Sequence, residues 1–243
     1  MYNNIRNIHE LYDTEGNPLQ EKASMFIGKS ASFALPTELT NKIRLTFLDK
    51  SPPELRLYGV VDDEMAHYVR ESLMFLESKD EQPAVKVTIT SPGGSVVAGL
   101  EIYSLLSQYR GGTKGFVDGY AYSAAAQLIL QGCLVRTANK YSRLMSHFAH
   151  TMVYVGEHDL GGKRRMERVF DELKTCNDQA VDIIMGRTGK EERAVRKFLK
   201  QGLYKTAQEY KEFGLIDSYY SMKVTQTKDG KGNTINQSNL FVE

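Results

Sequence analysis

The chain has 243 residues, 41% hydrophobic and 25% charged, a globular composition long enough to bury about 70–75% of the unfolded surface in one domain with appendages. Thirty-one Lys and Arg against 30 Asp and Glu leave a formal charge of +1, so no global field draws nucleic acid or an anionic membrane, and any partner is recognised locally. Cys133 and Cys176 lack metal-ligand spacing, no run approaches the ~18 apolar residues of a membrane helix, and MYNNIRNIHELYDTEG has no apolar stretch behind a basic start. A cytoplasmic protein with free thiols, soluble and not exported, is expected.

Residues 1–41 mix polar and turn-forming residues, with GNP at 16–18 and SASFALP before Thr37, and sustain neither period; an extended or mobile arm is predicted. The folded domain is expected over 42–221. It opens with IRLTFL alternating as a strand, a break at Ser51-Pro52-Pro53, and a second strand from Leu55 to Val61. Asp62 is a candidate N-cap for a helix through Glu77, with Met65, Val69, Leu73, Phe75 and Leu76 on its apolar face. A strand from Val85 to Thr90, the turn SPGG at 91–94 and a helix carrying Val96, Val97, Leu100, Ile102, Tyr103 and Leu106 follow, closed by Arg110-Gly111-Gly112. The plan then repeats as strand Thr113–Val117, turn Asp118–Tyr122 and a helix beginning at Ser123. Successive strand, turn and helix units predict an α/β fold with parallel pairing. One long amphipathic helix is predicted over 157–187, suited also to a subunit interface, then two shorter helices near 190–201 and 206–213. Residues 222–243 are polar, and KDGKGN at 228–233 reads as a hairpin turn or a frayed end.

Three segments carry chemistry. A serine hydroxyl attacks a carbonyl only when a base takes its proton and preset donors receive the oxyanion. Ser123 lies in GYAYSAAA at a strand-to-helix turn, where small residues let a substrate approach, although the spelling is not G-x-S-x-G. Ser91-Pro92-Gly93-Gly94-Ser95 lies at another such turn, where glycine lets an amide point into a cleft and the helix start favours negative charge. The lysine of a phosphate-binding loop is missing. His147 closes SRLMSH at the end of a predicted strand, and His150 is a second imidazole three residues on. Singly these are an N-cap serine, a plain turn and a structural histidine.

Together, SPGGSVVAGLEIY, GYAYSAAA and SRLMSH occur in the order, and with the Ser123-to-His147 spacing of 24, that resembles the ClpP family of self-compartmentalising serine peptidases. The resemblance runs from about Lys42 to Asp217 and includes LYGVVDDEMA, RTGK at 187–190 and TAQEYKEFGLID. It implies a crotonase-like spiral of β-α units with a long protruding helix for ring stacking. It implies Ser123 as nucleophile, His147 as general base and then acid, and the N–H groups of Gly94 and Ala124 as the oxyanion hole. It further implies a peptide or unfolded-protein substrate, stacked heptameric rings built through Thr151–Gly156 and the long helix, and an AAA+ unfoldase partner. Neither cofactor nor metal is expected.

Two departures from the family pattern stand out. Counted without gaps from TAQEY, the family's triad aspartate falls on Gly202. Three outcomes follow: another acid such as Asp171 or Asp178 serves His147, a Ser-His dyad acts slowly, or the chain is a silent ring subunit. Secondly, the aromatic positions of the family's unfoldase-docking pocket fall on Lys86, Thr88 and Gln108. An apolar docking loop gains little there, so any unfoldase is expected to be of unusual type, or dispensable. An acyl-CoA enzyme of the same fold is a further class, disfavoured by a serine at the elbow with a histidine downstream.

Overall fold

The computed structural model describes residues 46–47, 52–79, 82–151, 162–228 and 234–242. The calls on an N-terminal arm at 1–41, on the strand segment 152–156 and on the first residues of the long helix lie outside these. Alternation of apolar residues builds the central strands: β2 (Glu54–Tyr58) buries Leu55 and Leu57, and β3 (Val85–Ser91) buries Val85, Val87 and Ile89. These side chains share one core with Met65, Val69, Leu73 and Leu76 of α1 (Asp63–Glu77) and with Ala98, Ile102 and Leu106 of α2 (Val96–Gln108). Asp62 caps α1 as expected, its carboxylate accepting from the Met65 amide at 2.9 Å.

Strands β2, β3, β4 (Thr113–Tyr122), β5 (Val135–Asn139) and β8 (Ser218–Lys228) pair in parallel in that order. The short β1 (Thr46–Phe47) and β9 (Thr234–Val242) pair antiparallel at the two ends, β9 in register with β8 from Tyr220↔Val242 to Lys228↔Thr234. Helix α3 combines a π-helical turn at Ala125–Ile129 with Leu130–Gly132. The remaining elements are β6 (Arg143–Met145), α4 (Gly162–Thr188), α5 (Glu192–Gln201), β7 (Lys205–Thr206) and α6 (Ala207–Phe213). This is the α/β fold of the ClpP type. Its long helix α4, 27 residues and about 40 Å long, buries Ala180, Val181 and Ile184 near its C-terminal end, whereas Phe170 is 61% exposed. The stretch of α4 around Phe170 is therefore far more exposed than its C-terminal part.

Three boundaries differ from expectation, each for a tertiary reason. The predicted turn at Asp118–Tyr122 is strand, because β4 forks: Lys114–Val117 pair with β5, and Tyr120–Tyr122 pair with β6. Strand β5 escaped prediction because its polar RTAN has no alternation, and pairing on both sides makes it a strand. The strand predicted to reach Val61 stops at Tyr58, since Gly59 turns at φ 86° and Val61 then meets Gly94 in a separate parallel bridge.

Candidate active site

The fork in β4 assembles the site. Because Tyr122 pairs with Met145, the Ser123 amide donates to the Met145 carbonyl at 2.7 Å, which sets the candidate nucleophile beside the segment leading to His147. Ser123 is the one non-glycine residue among those described with positive φ, at 52°. That conformation costs roughly 1–2 kcal/mol in an L-residue and gives the sharp strand-to-helix turn of a nucleophile elbow. The helix accepts it at once: the Ser123 carbonyl receives the Ala126 and Gln127 amides, both at 3.0 Å. Ala124, buried and first in the helix, has an amide with no acceptor inside the helix.

The glycine loop is clamped from the other side. The Val61 amide donates to the Gly93 carbonyl at 2.9 Å and the Ser95 amide to the Val61 carbonyl at 2.8 Å, while the Gly93 amide bonds to the buried Ser91 hydroxyl at 3.1 Å. The exposed Gly94 amide takes no part in these bonds. Both glycines are sterically required. A Cβ on Gly93 would lie 2.6 Å from the Tyr122 carbonyl oxygen and 2.7 Å from Ser123 Cβ, and one on Gly94 would lie 2.2 Å from the Val61 carbonyl oxygen. The loop is thus in direct contact with the turn that holds Ser123 and Ala124.

The half-buried His147 is held at two points. Its amide donates to Oε1 of the buried Gln127 at 3.0 Å, tying it to the helix behind Ser123. Its Nδ1 lies 2.6 Å from the Phe148 carbonyl oxygen. A carbonyl only accepts, so Nδ1 carries a proton, and in the neutral ring Nε2 then holds the lone pair, the tautomer a general base needs. No hydrogen bond joins Ser123 to His147 in this arrangement; the bonds of His147 run to Gln127 and Phe148. The preceding residue is fixed too, Ser146 Oγ lying 2.8 Å from the buried Tyr210 hydroxyl.

Gly202 stands beside His147. It ends α5 at φ 57°, and the nearest atom to a Cβ built on it would be His147 Cβ at 3.7 Å. The position at which the sequence shows no acid is therefore the position from which a side chain would reach His147. The alternative acids do not bond to His147 among the described residues: Asp178 pairs with Arg196 at 2.6 Å, which holds its carboxyl below the usual range, and Asp171 accepts from Thr175 only through its backbone carbonyl. His150 lies with its ring centre 5.0 Å from that of His147. Tyr122 stacks against Tyr120 and meets Tyr204 edge-on at 5.0 Å, bringing the residue before Ser123 against the loop after Gly202.

Gln127 and the Phe148 carbonyl were not singled out from the sequence. A buried glutamine in SAAAQLIL was the available signal for the first; a backbone carbonyl leaves none. At the predicted docking positions, Lys86 pairs with the buried Glu54 at 3.2 Å, Thr88 bonds to Glu54 at 2.9 Å, and Gln108 bonds to Ser104 at 2.6 Å. Both thiols are free, Cys133 buried, its pKa pushed up to about 12 by that burial, and Cys176 half-buried. Among the described residues no helix is long and apolar enough to cross a membrane.

The Clp protease family profile matches residues 42–223, a span holding every residue of this site. The chain is 30% identical over 158 residues, 65% of its length and 77% of the relative's, to the ATP-dependent Clp protease proteolytic subunit 1 of Gloeobacter violaceus. The chain belongs to the Clp protease family.

Proposed function

We propose that this chain is a serine-type peptidase working through a Ser123–His147 dyad, with a backbone carbonyl standing where the family has an acid. The observation that carries the reading is the bond from His147 Nδ1–H to the Phe148 carbonyl, which leaves Nε2 basic. Nε2 takes the Ser123 proton as Oγ attacks the peptide carbonyl. The amides of Gly94 and Ala124 receive the oxyanion, the imidazolium protonates the leaving amine, and water releases the acyl group from Ser123 by the same steps. The Phe148 carbonyl fixes the tautomer but brings no negative charge to the imidazolium. Replacing the acid in other triads costs about 10⁴-fold in rate, so turnover is slow.

Gly202 favours one second reading, a ring subunit that is catalytically silent. Incubation of the full chain with a fluorophosphonate, followed by mass spectrometry, separates the two. The dyad predicts an adduct on Ser123 that His147→Ala abolishes, together with slow cleavage of a fluorogenic peptide. An unlabelled Ser123 overturns it.

The exposed stretch of α4 around Phe170 supports assembly into rings, stacked as in the family; a monomeric mass by light scattering at micromolar concentration overturns that. The ion-paired Lys86 and buried Thr88 support an unfoldase of unusual type, or none. Rapid ATP-dependent degradation with a standard Clp ATPase overturns this part.

A further inference from the structure

We infer that Asn177 is a positioning residue for the base, acting on His147 through the peptide unit that joins Phe148 to Ala149. The effect on rate rests on the dyad reading; the hold on the imidazole does not. Asn177 lies half-buried on α4, and its Oδ1 accepts the Ala149 amide at 2.7 Å, from 28 residues away in sequence. That amide and the Phe148 carbonyl are the two polar ends of one peptide unit. The unit is planar and trans, so its N–H and C=O point in opposite directions, and fixing one fixes the other. The carbonyl end accepts from His147 Nδ1 at 2.6 Å. Asn177, the peptide unit and the imidazole thus form one hydrogen-bonded chain.

Both bonds are shorter than the common N–H···O distance of about 2.9–3.0 Å. Hydrogen bonds in a chain polarise one another. An amide whose N–H is engaged presents a more negative carbonyl oxygen, a better partner for Nδ1–H and for the imidazolium that forms as Ser123 Oγ gives up its proton. Such a hold needs a fixed support, and α4 supplies it. The neighbouring Asp178 pairs with Arg196 of α5 at 2.6 Å, and Ala180, Val181 and Ile184 one turn further along are buried in the core.

Without an acceptor at position 177 the peptide unit is released to rotate, and the Phe148 carbonyl turns from Nδ1. The neutral ring can then carry its proton on Nε2, the tautomer that cannot take one from Ser123. Gln127 still holds the His147 amide, so the backbone stays in place while the tautomer lock is lost. Satisfying a half-buried amide is by itself only a structural service; the tautomer separates the two roles.

The test uses the full chain. Asn177→Leu matches the side chain in size without an acceptor, Asn177→Ala replaces it if the leucine protein does not fold, and Asn177→Asp keeps an acceptor. Fluorophosphonate labelling of Ser123 gives the rate. Nitrogen NMR of histidine-labelled protein gives the tautomer, the His147 signal being identified by its loss in His147→Ala. The expected native ring carries its proton on Nδ1 when neutral. Asn177→Leu should label about tenfold to a hundredfold more slowly, with the neutral ring shifted toward Nε2–H, and Asn177→Asp should recover most of the lost rate and the Nδ1–H form. A folded Asn177→Leu protein with the native rate and tautomer overturns the inference. Slowed labelling with an unchanged tautomer also overturns it, by making Asn177 a structural residue, as does an Asn177→Asp protein no better than Asn177→Leu. A native chain that never labels overturns the peptidase reading, and the histidine spectra still decide whether Asn177 orients His147.

Discussion

The two halves of the candidate site are built by opposite means. On the nucleophile side everything is backbone and close contact: a serine held at φ 52°, a helix amide beside it, and a glycine loop tied on both sides of Gly94 to Val61. On the base side the imidazole is held by a glutamine oxygen and a carbonyl, and the adjoining position is a glycine in the left-handed region. One half is over-determined, and on the other no acidic side chain bonds to the imidazole among the described residues. Under the dyad proposal, geometry persists in a family member while electrostatic stabilisation of the transition state is withdrawn.

The largest effect is expected where the over-determined half is broken. Gly94→Ala would place a methyl 2.2 Å from the Val61 carbonyl oxygen, so the loop must shift and the Gly94 amide with it. Losing one oxyanion donor costs about 10²–10³-fold in rate. Labelling of Ser123 should fall by that much with the fold intact by circular dichroism; a native rate would show that Gly94 is not a donor.

How far the sequence carried this picture follows from the same contrast. The two strand-to-helix turns, at 91–94 and before Ser123, were legible because tight turns demand particular small residues in a fixed order, whereas donor roles for Gly94 and Ala124 came only from the family resemblance. The β-α plan was legible because Leu55, Leu57, Val85, Val87 and Ile89 alternate. The vacancy at Gly202 was legible by counting, and the structure places that residue against His147. The bond from His147 to the Phe148 carbonyl was not, since any residue supplies a carbonyl. The second half of β4 was read as a turn, because GYAY looks like a breaker until β6 supplies its partner.

A smaller effect probes the base side. Gln127→Leu keeps the size of the side chain but leaves the His147 amide without its acceptor, at a cost of about 1–3 kcal/mol. A misplaced imidazole should slow peptide cleavage by roughly tenfold to a hundredfold, with the melting temperature lowered. Unchanged cleavage would mean that Gln127 does not position the base.

The smallest effect serves as a control away from both halves. Burial alone would raise the pKa of Glu54, but hydrogen bonds from Arg56 and Thr88 and the charge of Lys86 outweigh it and hold the group at about 2. A carboxylate depressed in the folded state stabilises fully above its unfolded pKa, near 4.5, and loses that contribution as pH falls toward about 2. Glu54→Gln should therefore flatten the stability profile in that acid window, by about 3 kcal/mol at most, and leave Ser123 labelling at pH 7 unchanged. An identical acid profile in both proteins would refute the assignment.

The most direct measurement restores what the base side lacks. Gly202→Asp has room, its Cβ meeting only His147 Cβ at 3.7 Å, and aspartate tolerates the left-handed region better than most residues. Its carboxylate can accept from Nδ1 and stabilise the imidazolium. The rate of fluorophosphonate labelling at Ser123 should rise at least about tenfold, within the ~10⁴-fold that an orienting acid is worth. A folded Gly202→Asp protein that labels no faster than the native chain would contradict the central claim that Ser123 and His147 are correctly placed and limited by the missing charge.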